Sequence, residues 1–352
     1  MTARLPTHMT RRALGLGLLG AATVAFAGGK KRPTVPSPPH QGDIALIAWS
    51  PDYRVSFFGI EKLHPFDIGK YDRIAKSLVD SGLWPADAFT EPAEVSTDLL
   101  GAVHSEDYLR SLSSSAYVAR ALEVPMASVF PASMIDRKVL APMRRSSQGT
   151  VLAVQHAVER GGMAINIGGG YHHARPELGH GFCVYNDVAC AVHALGRSLS
   201  GPIVVFDTDA HQGDGNHAAF AGRSDVLTCS LHQQGLFPQP GVPGDMDIEL
   251  AAGTDDARYL RHLDEAIDEA ITRTNPGLVI HVAGADILAD DPLAGLALTP
   301  SGLVERDLRV ARAARATGAP IVHLLAGGYG PSAADAQAQT LAALVTEFSS
   351  PG

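Results

Sequence analysis

Pro202-Ile203-Val204-Val205-Phe206-Asp207-Thr208-Asp209-Ala210-His211-Gln212-Gly213-Asp214-Gly215 is the stretch that decides how this chain is read. Ile203 to Phe206 are apolar and mostly β-branched, the composition of a strand buried on both faces. Acids and a histidine begin where that strand should stop. Asp209 and His211 are two apart, so on an extended backbone both point to the same side. One carboxylate and one imidazole on one side make two thirds of an open metal site. A buried acid cluster is costly without compensating charge, so a cation is the natural occupant.

Working outward, further apolar runs read as strands at Ile44–Trp49, Ala164–Ile167, Val226–Leu231, Leu278–Val282 and Ile321–Leu325. Helical periodicity lies between them, at Arg144–Arg160, Asp187–Leu199, Asp255–Arg273, Ser301–Thr317 and Ala333–Phe348. Strands alternating with helices predict an α/β fold: a single-domain three-layer sandwich around a mostly parallel sheet. Four strands run straight into glycine and polar residues. Ile167 leads into Gly168-Gly169-Gly170-Tyr171-His172-His173, Phe206 into the acid run, Val282 into Ala283-Gly284-Ala285-Asp286, and Leu325 into Ala326-Gly327-Gly328-Tyr329. In a parallel sheet those carboxyl ends form the ligand crevice.

Asp209, His211 and Asp286 together offer two carboxylates and one imidazole. Three protein ligands leave positions for water and substrate, as in a catalytic metal site. The donor set suits zinc or ferrous iron, with manganese as a further fit. A lone Asp286 would equally be a helix N-cap; beside the other two it reads as a ligand. His172 and His173 suit proton transfer in both directions. Each ring needs a carboxylate to fix its tautomer, and Asp207 and Asp214 are the candidates. Tyr329 is placed to donate to a developing oxyanion, although a tyrosine alone is an ordinary half-buried residue.

The 352 residues are 45% hydrophobic, enough for a large core, and carry a net charge of -9. No run of Lys or Arg suggests a phosphate-binding surface, so nucleic acid is not an expected partner. A mildly acidic surface fits a cationic ligand such as a lysine-bearing peptide or a polyamine. Three cysteines without a CxxC spacing, Cys183, Cys190 and Cys229, exclude a disulfide framework or a thiolate zinc site. At the other end of the chain, Arg11-Arg12, an apolar segment to Ala27 and the small-x-small ending Ala25-Phe26-Ala27 form the pattern of a twin-arginine export signal. Residues 1–41 are therefore read as signal and linker and 42–352 as the catalytic domain. The expected compartment is the periplasm or beyond, the alternative the cytoplasm. The apolar segment is too short for a comfortable membrane span.

The motifs Gly168-Gly169-Gly170-Tyr171-His172-His173, Gly181-Phe182-Cys183, Asp207 to Gly215, Ala283-Gly284-Ala285-Asp286 and Gly327-Gly328-Tyr329, in that order, resemble the histone deacetylase family and its bacterial relatives. Ser50-Pro51-Asp52-Tyr53, the run Phe57 to Asp67, and Gln212 in place of a second histidine resemble its class IV branch. The resemblance implies the arginase/deacetylase fold and hydrolysis of an acyl amide on a lysine or similar amine. It implies one zinc, or ferrous iron, held by Asp209, His211 and Asp286. His173 with Asp214 would be the general base and acid, and His172 with Asp207 its electrostatic partner. Tyr329 would polarise the acyl carbonyl. Gly181, Phe182, Phe237 and Leu293 would line a tunnel for the alkyl-amine stem. A structural potassium would lie on oxygens of Asp207, Asp209, His211, Ser230 and Leu231.

The chain departs from the common pattern in two places. Leu325-Ala326-Gly327-Gly328-Tyr329 is short of the usual glycines, and the rim aspartate that grips a peptide backbone has no clear counterpart. The second departure leaves selectivity for a peptide backbone open. The resemblance to the class IV branch implies that acyl groups longer than acetyl are within the expectation, and acetylpolyamines are the alternative substrates. An arginase-like ureohydrolase would need further carboxylates for a second metal, and Gln212 and Gly213 do not supply them. A non-catalytic binding protein would not need the full set of proposed catalytic residues.

Overall fold

The computed structural model describes residues 43–56, 59, 61, 64–196 and 199–349. The expected export signal and linker lie outside the described residues, as do parts of the run Phe57 to Asp67. Seven strands form one sheet: β1 Ile44–Ala48, β2 Met163–Asn166, β3 Ile203–Asp207, β4 Val226–Gln233, β5 Met246–Leu250, β6 Leu278–Val282 and β7 Ile321–Leu324. Their order across the sheet is β1-β2-β7-β6-β3-β4-β5. Every adjacent pair is parallel. β1, β2, β3, β6 and β7 are buried at every position. That explains why they read as mainly apolar runs, interrupted only by Asn166, Asp207, His281 and His323, rather than as alternating ones.

Among the described residues, eleven α-helices cover the faces. The first five are α1 Lys70–Asp80, α2 Thr97–Val103, α3 Glu106–Ser111, α4 Ser115–Ala121 and α5 Ala132–Ile135. The others are α6 Ala141–Arg160, α7 Asp187–Leu195, α8 Asp214–Phe220, α9 Asp256–Ile267, α10 Pro300–Thr317 and α11 Ala333–Ser349. One core packs Ile74 and Leu78 of α1, Tyr259 and Leu263 of α9, Val310 of α10 and Leu344 of α11 against Ile47, Phe206 and Val279 of the sheet. On the opposite face Val151 and Val154 of α6 and Val188 of α7 pack against Leu46, Val205 and Ile280. The alternation of successive strand residues between two cores makes the three layers.

Local signals set the helix ends that matter for the site. Asn186 caps α7 by accepting from the Ala189 N–H at 2.7 Å. Thr299 caps α10, with Pro300 at its first position, and Gly318 closes it in the left-handed region. Most expected elements move at one end or both by one to three residues, and two change further. The helix expected over Asp255–Arg273 is α9 followed by a π-helical segment, Asp268–Thr272. The helix expected to reach Leu199 ends at Leu195, because Gly196 turns into the left-handed region. The three cysteines are free and buried. No helix among the described residues is long and apolar enough to cross a membrane.

Candidate metal centre and active site

The four strands whose exits carry polar residues, β2, β7, β6 and β3, are neighbours in the middle of the sheet. Their carboxyl ends therefore open side by side, and loops far apart in sequence share one crevice. β3 ends at Asp207, so Asp209 and His211 lie beyond the strand and not on extended backbone. A bend still brings their side chains together: His211 Nδ1 is 3.2 Å from Asp209 Oδ1 and 2.9 Å from Asp286 Oδ2. One ligand atom from each of Asp209, His211 and Asp286 lies within 4.8 Å of the others, and all three residues are buried. Asp286 caps no helix; its Oδ1 accepts the Ala210 N–H at 2.8 Å, which ties the two loops.

The electrostatics of this seat follow from burial. Burial and the Asp209 carboxylate raise the Asp286 pKa above the usual carboxylate range. Burial also disfavours charge on His211, but hydrogen bonds to Asp209 and Asp286 outweigh it and push its pKa up to about 10. Two buried carboxylates thus draw positive charge into the space between them. A divalent cation meets that demand with donors that hard and borderline metals accept, so the residues fit the metal.

The glycine loop after β2 is fastened from below. Asp187 Oδ2 accepts from Gly170 N–H at 2.9 Å, its Oδ1 from Tyr171 N–H at 2.8 Å, and Ser146 Oγ from Gly169 N–H at 2.9 Å. This places the rings of His172 and His173 4.1 Å apart, with His173 6.0 Å from the His211 ring. His172 Nδ1 meets Asp207 Oδ2 at 2.8 Å, and His173 Nδ1 meets Asp214 Oδ1 at 2.7 Å. Each pairing directs the Nε2 of its ring elsewhere; that of His172 is 3.7 Å from Asp209 Oδ1. Burial opposes charge on His172, but Asp207 and Asp209 push its pKa up to about 9. Burial and the neighbouring His172 push His173 down to about 3. The pair therefore holds its charge on His172 and leaves His173 neutral, the form a base needs.

Tyr329 is half-buried, with its ring 6.3 Å from that of His211. Burial raises its pKa well above the usual phenol value, so it stays a donor. Tyr329 and the His172–His173 pair border a cavity of about 130 Å³; Asp209, His211 and Asp286 are not among its lining residues. Gly169, Gly170, His172, His173, Gly181, Phe182 and Tyr329 form one part of its lining; Val55, Ile68, Leu122, Val124, Ala127, Val139 and Met143 form an apolar part. Gly181 has φ +53°, and a Cβ there would lie 2.6 Å from His173 Cδ2 and 2.7 Å from Phe237 Cε1. Phe237 stands partly exposed with its ring 5.0 Å from His173. Neither Phe237 nor Leu293 is among the lining residues, unlike Gly181 and Phe182; the Leu293 N–H is turned to Asp291 Oδ1 at 2.9 Å. Asp207 pairs in register with Ser230 on β4, and Leu231 follows, fully buried. Gln212 points away from the seat, donating to Asp247 Oδ1 at 2.8 Å and accepting the Val242 N–H at 3.1 Å.

Several supporting residues escaped the sequence reading. Lys70 is buried on α1 and donates to the carbonyls of Ala326 and Gly327 at 3.1 and 2.8 Å, just before Tyr329. Burial lowers its pKa to about 8, against the nearby Asp286 and Asp209. Asp291 Oδ2 accepts from the N–H groups of Tyr329 and Gly330 at 2.8 and 3.1 Å. Arg175 and His180 both donate to Asp214 Oδ2, at 2.5 and 3.0 Å.

A parallel α/β sheet that brings a carboxylate–imidazole trio and a histidine pair together at its carboxyl end, the pair lining an apolar cavity, is the framework of a metal-assisted hydrolase. Residues 64–345 match the histone deacetylase domain. Histone deacetylase 2 of Arabidopsis thaliana is 43% identical over 292 residues, covering 82% of this chain and 75% of the relative. The chain belongs to the histone deacetylase family. Solved structures show the same fold. The HDA15 HD domain superposes with a TM-score of 0.69 at 18% identity, over 86% of this chain and 90% of that one. The acetylpolyamine aminohydrolase of Burkholderia pseudomallei gives 0.66 at 21%, over 85% and 98%.

Proposed function

We propose that the protein is a zinc-dependent deacylase that hydrolyses acyl amides of lysine side chains or related amines, with ferrous iron as the alternative metal. The observation that carries this is the convergence of Asp209, His211 and Asp286 into one buried seat, with His172, His173 and Tyr329 close to it and lining a mostly apolar cavity. A cation held by that trio supplies Lewis acidity towards the acyl oxygen and the attacking water. His173, neutral and oriented by Asp214, takes the water proton at Nε2 and later returns it to the leaving amine. His172, paired to Asp207, is the electrostatic partner of His173. The Tyr329 phenol donates to the oxyanion. The family's potassium would use Asp207, Asp209, His211, Ser230 and Leu231, with Ser230 and Leu231 on β4 beside the end of β3. A class IV placement and export through the twin-arginine segment belong to the same proposal; sequencing the mature N-terminus tests the latter.

Tyr329→Phe removes only that donor. It should keep its metal and lose about 10²-fold in kcat, a typical loss for one oxyanion donor. Metal content and kcat measured on the same sample check this.

The apolar part of the cavity supports acyl groups longer than acetyl, since a cavity near this size holds a benzene ring in other proteins. Each buried methylene contributes about 0.8 kcal/mol. We therefore expect kcat/KM on acyl-lysine peptides to rise about 4-fold per added methylene until the cavity is full. A panel from acetyl to myristoyl, with acetylpolyamines alongside, reads this out. A steady fall from acetyl onwards contradicts the longer-acyl reading, and selective turnover of the polyamines moves the amine assignment to them.

A further inference from the structure

Arg306 is a cation with no exposure to solvent. It lies in the second turn of α10. Its Nη1 donates to the carbonyl of Thr208 at 3.1 Å and to that of Gly284 at 2.5 Å. Thr208 immediately precedes Asp209, and Gly284 stands two residues before Asp286. One guanidinium thus spans the two loops that carry all three proposed metal ligands. Its Nε donates to Asp307 Oδ1 at 2.7 Å, which supplies the counter-charge a buried cation requires. The Tyr259 hydroxyl approaches the same Thr208 carbonyl at 3.5 Å. The loops touch closely: a Cβ on Gly284 would collide with the Asp209 carboxylate.

His281 and His323 stand beside Asp307, and one ligand atom from each of the three lies within 4.8 Å of the others. That trio resembles a second metal site. Its single carboxylate is already paired to Arg306, so the positive charge a metal would bring is present. His281 Nε2 instead meets Thr208 Oγ1 at 2.9 Å, adding a further tie to the Asp209 loop.

We propose that Arg306, anchored by Asp307, is a positioning residue that sets the separation of the Asp209–His211 loop from the Asp286 loop and so fixes the affinity of the metal seat. This rests on the metal-dependent reading above. Charge-assisted hydrogen bonds in a dry setting are strong and directional, and partners behind metal ligands typically control affinity by 10- to 100-fold.

The test is zinc affinity by chelator competition on the purified full chain, together with unfolding temperatures with and without zinc. Arg306→Met should raise the zinc dissociation constant by about 10- to 100-fold and shrink the zinc-induced rise in unfolding temperature. Arg306→Lys keeps the charge but lacks the fork, and should fall between the two. Should Arg306→Met not fold, Arg306→Lys decides the matter with a smaller rise. A folded variant that binds zinc as tightly as the wild type, losing equal stability with and without metal, overturns the proposal. Wild-type protein that binds no divalent metal would overturn the functional reading instead.

Discussion

Asp286→Ala is expected to lose nearly all turnover while keeping its fold. Asp286 supplies one of three ligand atoms and half of the buried carboxylate charge in the seat. Lewis acidity from a bound cation is worth several kcal/mol, and each 1.36 kcal/mol is tenfold, so the loss should be about 10³-fold or more. The fold should survive because the lost carboxylate is a strained one. Burial and Asp209 already disfavour its charge, and the variant relieves that repulsion. The backbone tie from Ala210 is lost, a cost of about 1–3 kcal/mol within reach of a domain this size. Kinetics, circular dichroism and metal content on one preparation check the three parts. Retained deacylation refutes the scheme.

His173→Ala should cost about 10²–10⁴-fold in kcat and leave metal binding close to normal. The residue touches Asp214 and not the ligand trio by hydrogen bond, so removing it separates proton transfer from metal retention. Equal loss of metal in His173→Ala and Asp286→Ala would mean that His173 belongs to the seat. Unchanged kcat in His173→Ala would pass the base role to His172.

What the sequence disclosed follows from burial. Ile203 to Asp207 and Leu278 to Val282 are covered on both faces, so they show as apolar runs broken only by the terminal Asp207 and by His281. β5 was missed because Met246-Asp247-Ile248-Glu249-Leu250 lies at the sheet edge and alternates with acids. The helices between Lys70 and Ile135 were missed because most are short. Their starts rest on single serine caps, Ser96, Ser105 and Ser114. In the site, the ligand and histidine motifs were legible because they concentrate unusual residues at strand exits. Lys70, Asp291 and Arg306 were not, since their partners are backbone carbonyls and N–H groups that any sequence would supply. The spacing argument for Asp209 and His211 assumed a strand that in fact ends at Asp207; the bend after it turns both side chains into one seat.

The most direct measurement is metal content per chain, followed through stripping and titration while hydrolysis of a fluorogenic acyl-lysine is read in parallel. The account predicts that activity disappears on stripping and returns in full at one equivalent of zinc or ferrous ion in the seat of Asp209, His211 and Asp286. Full activity in metal-stripped protein, or a need for two divalent ions per chain, would contradict it.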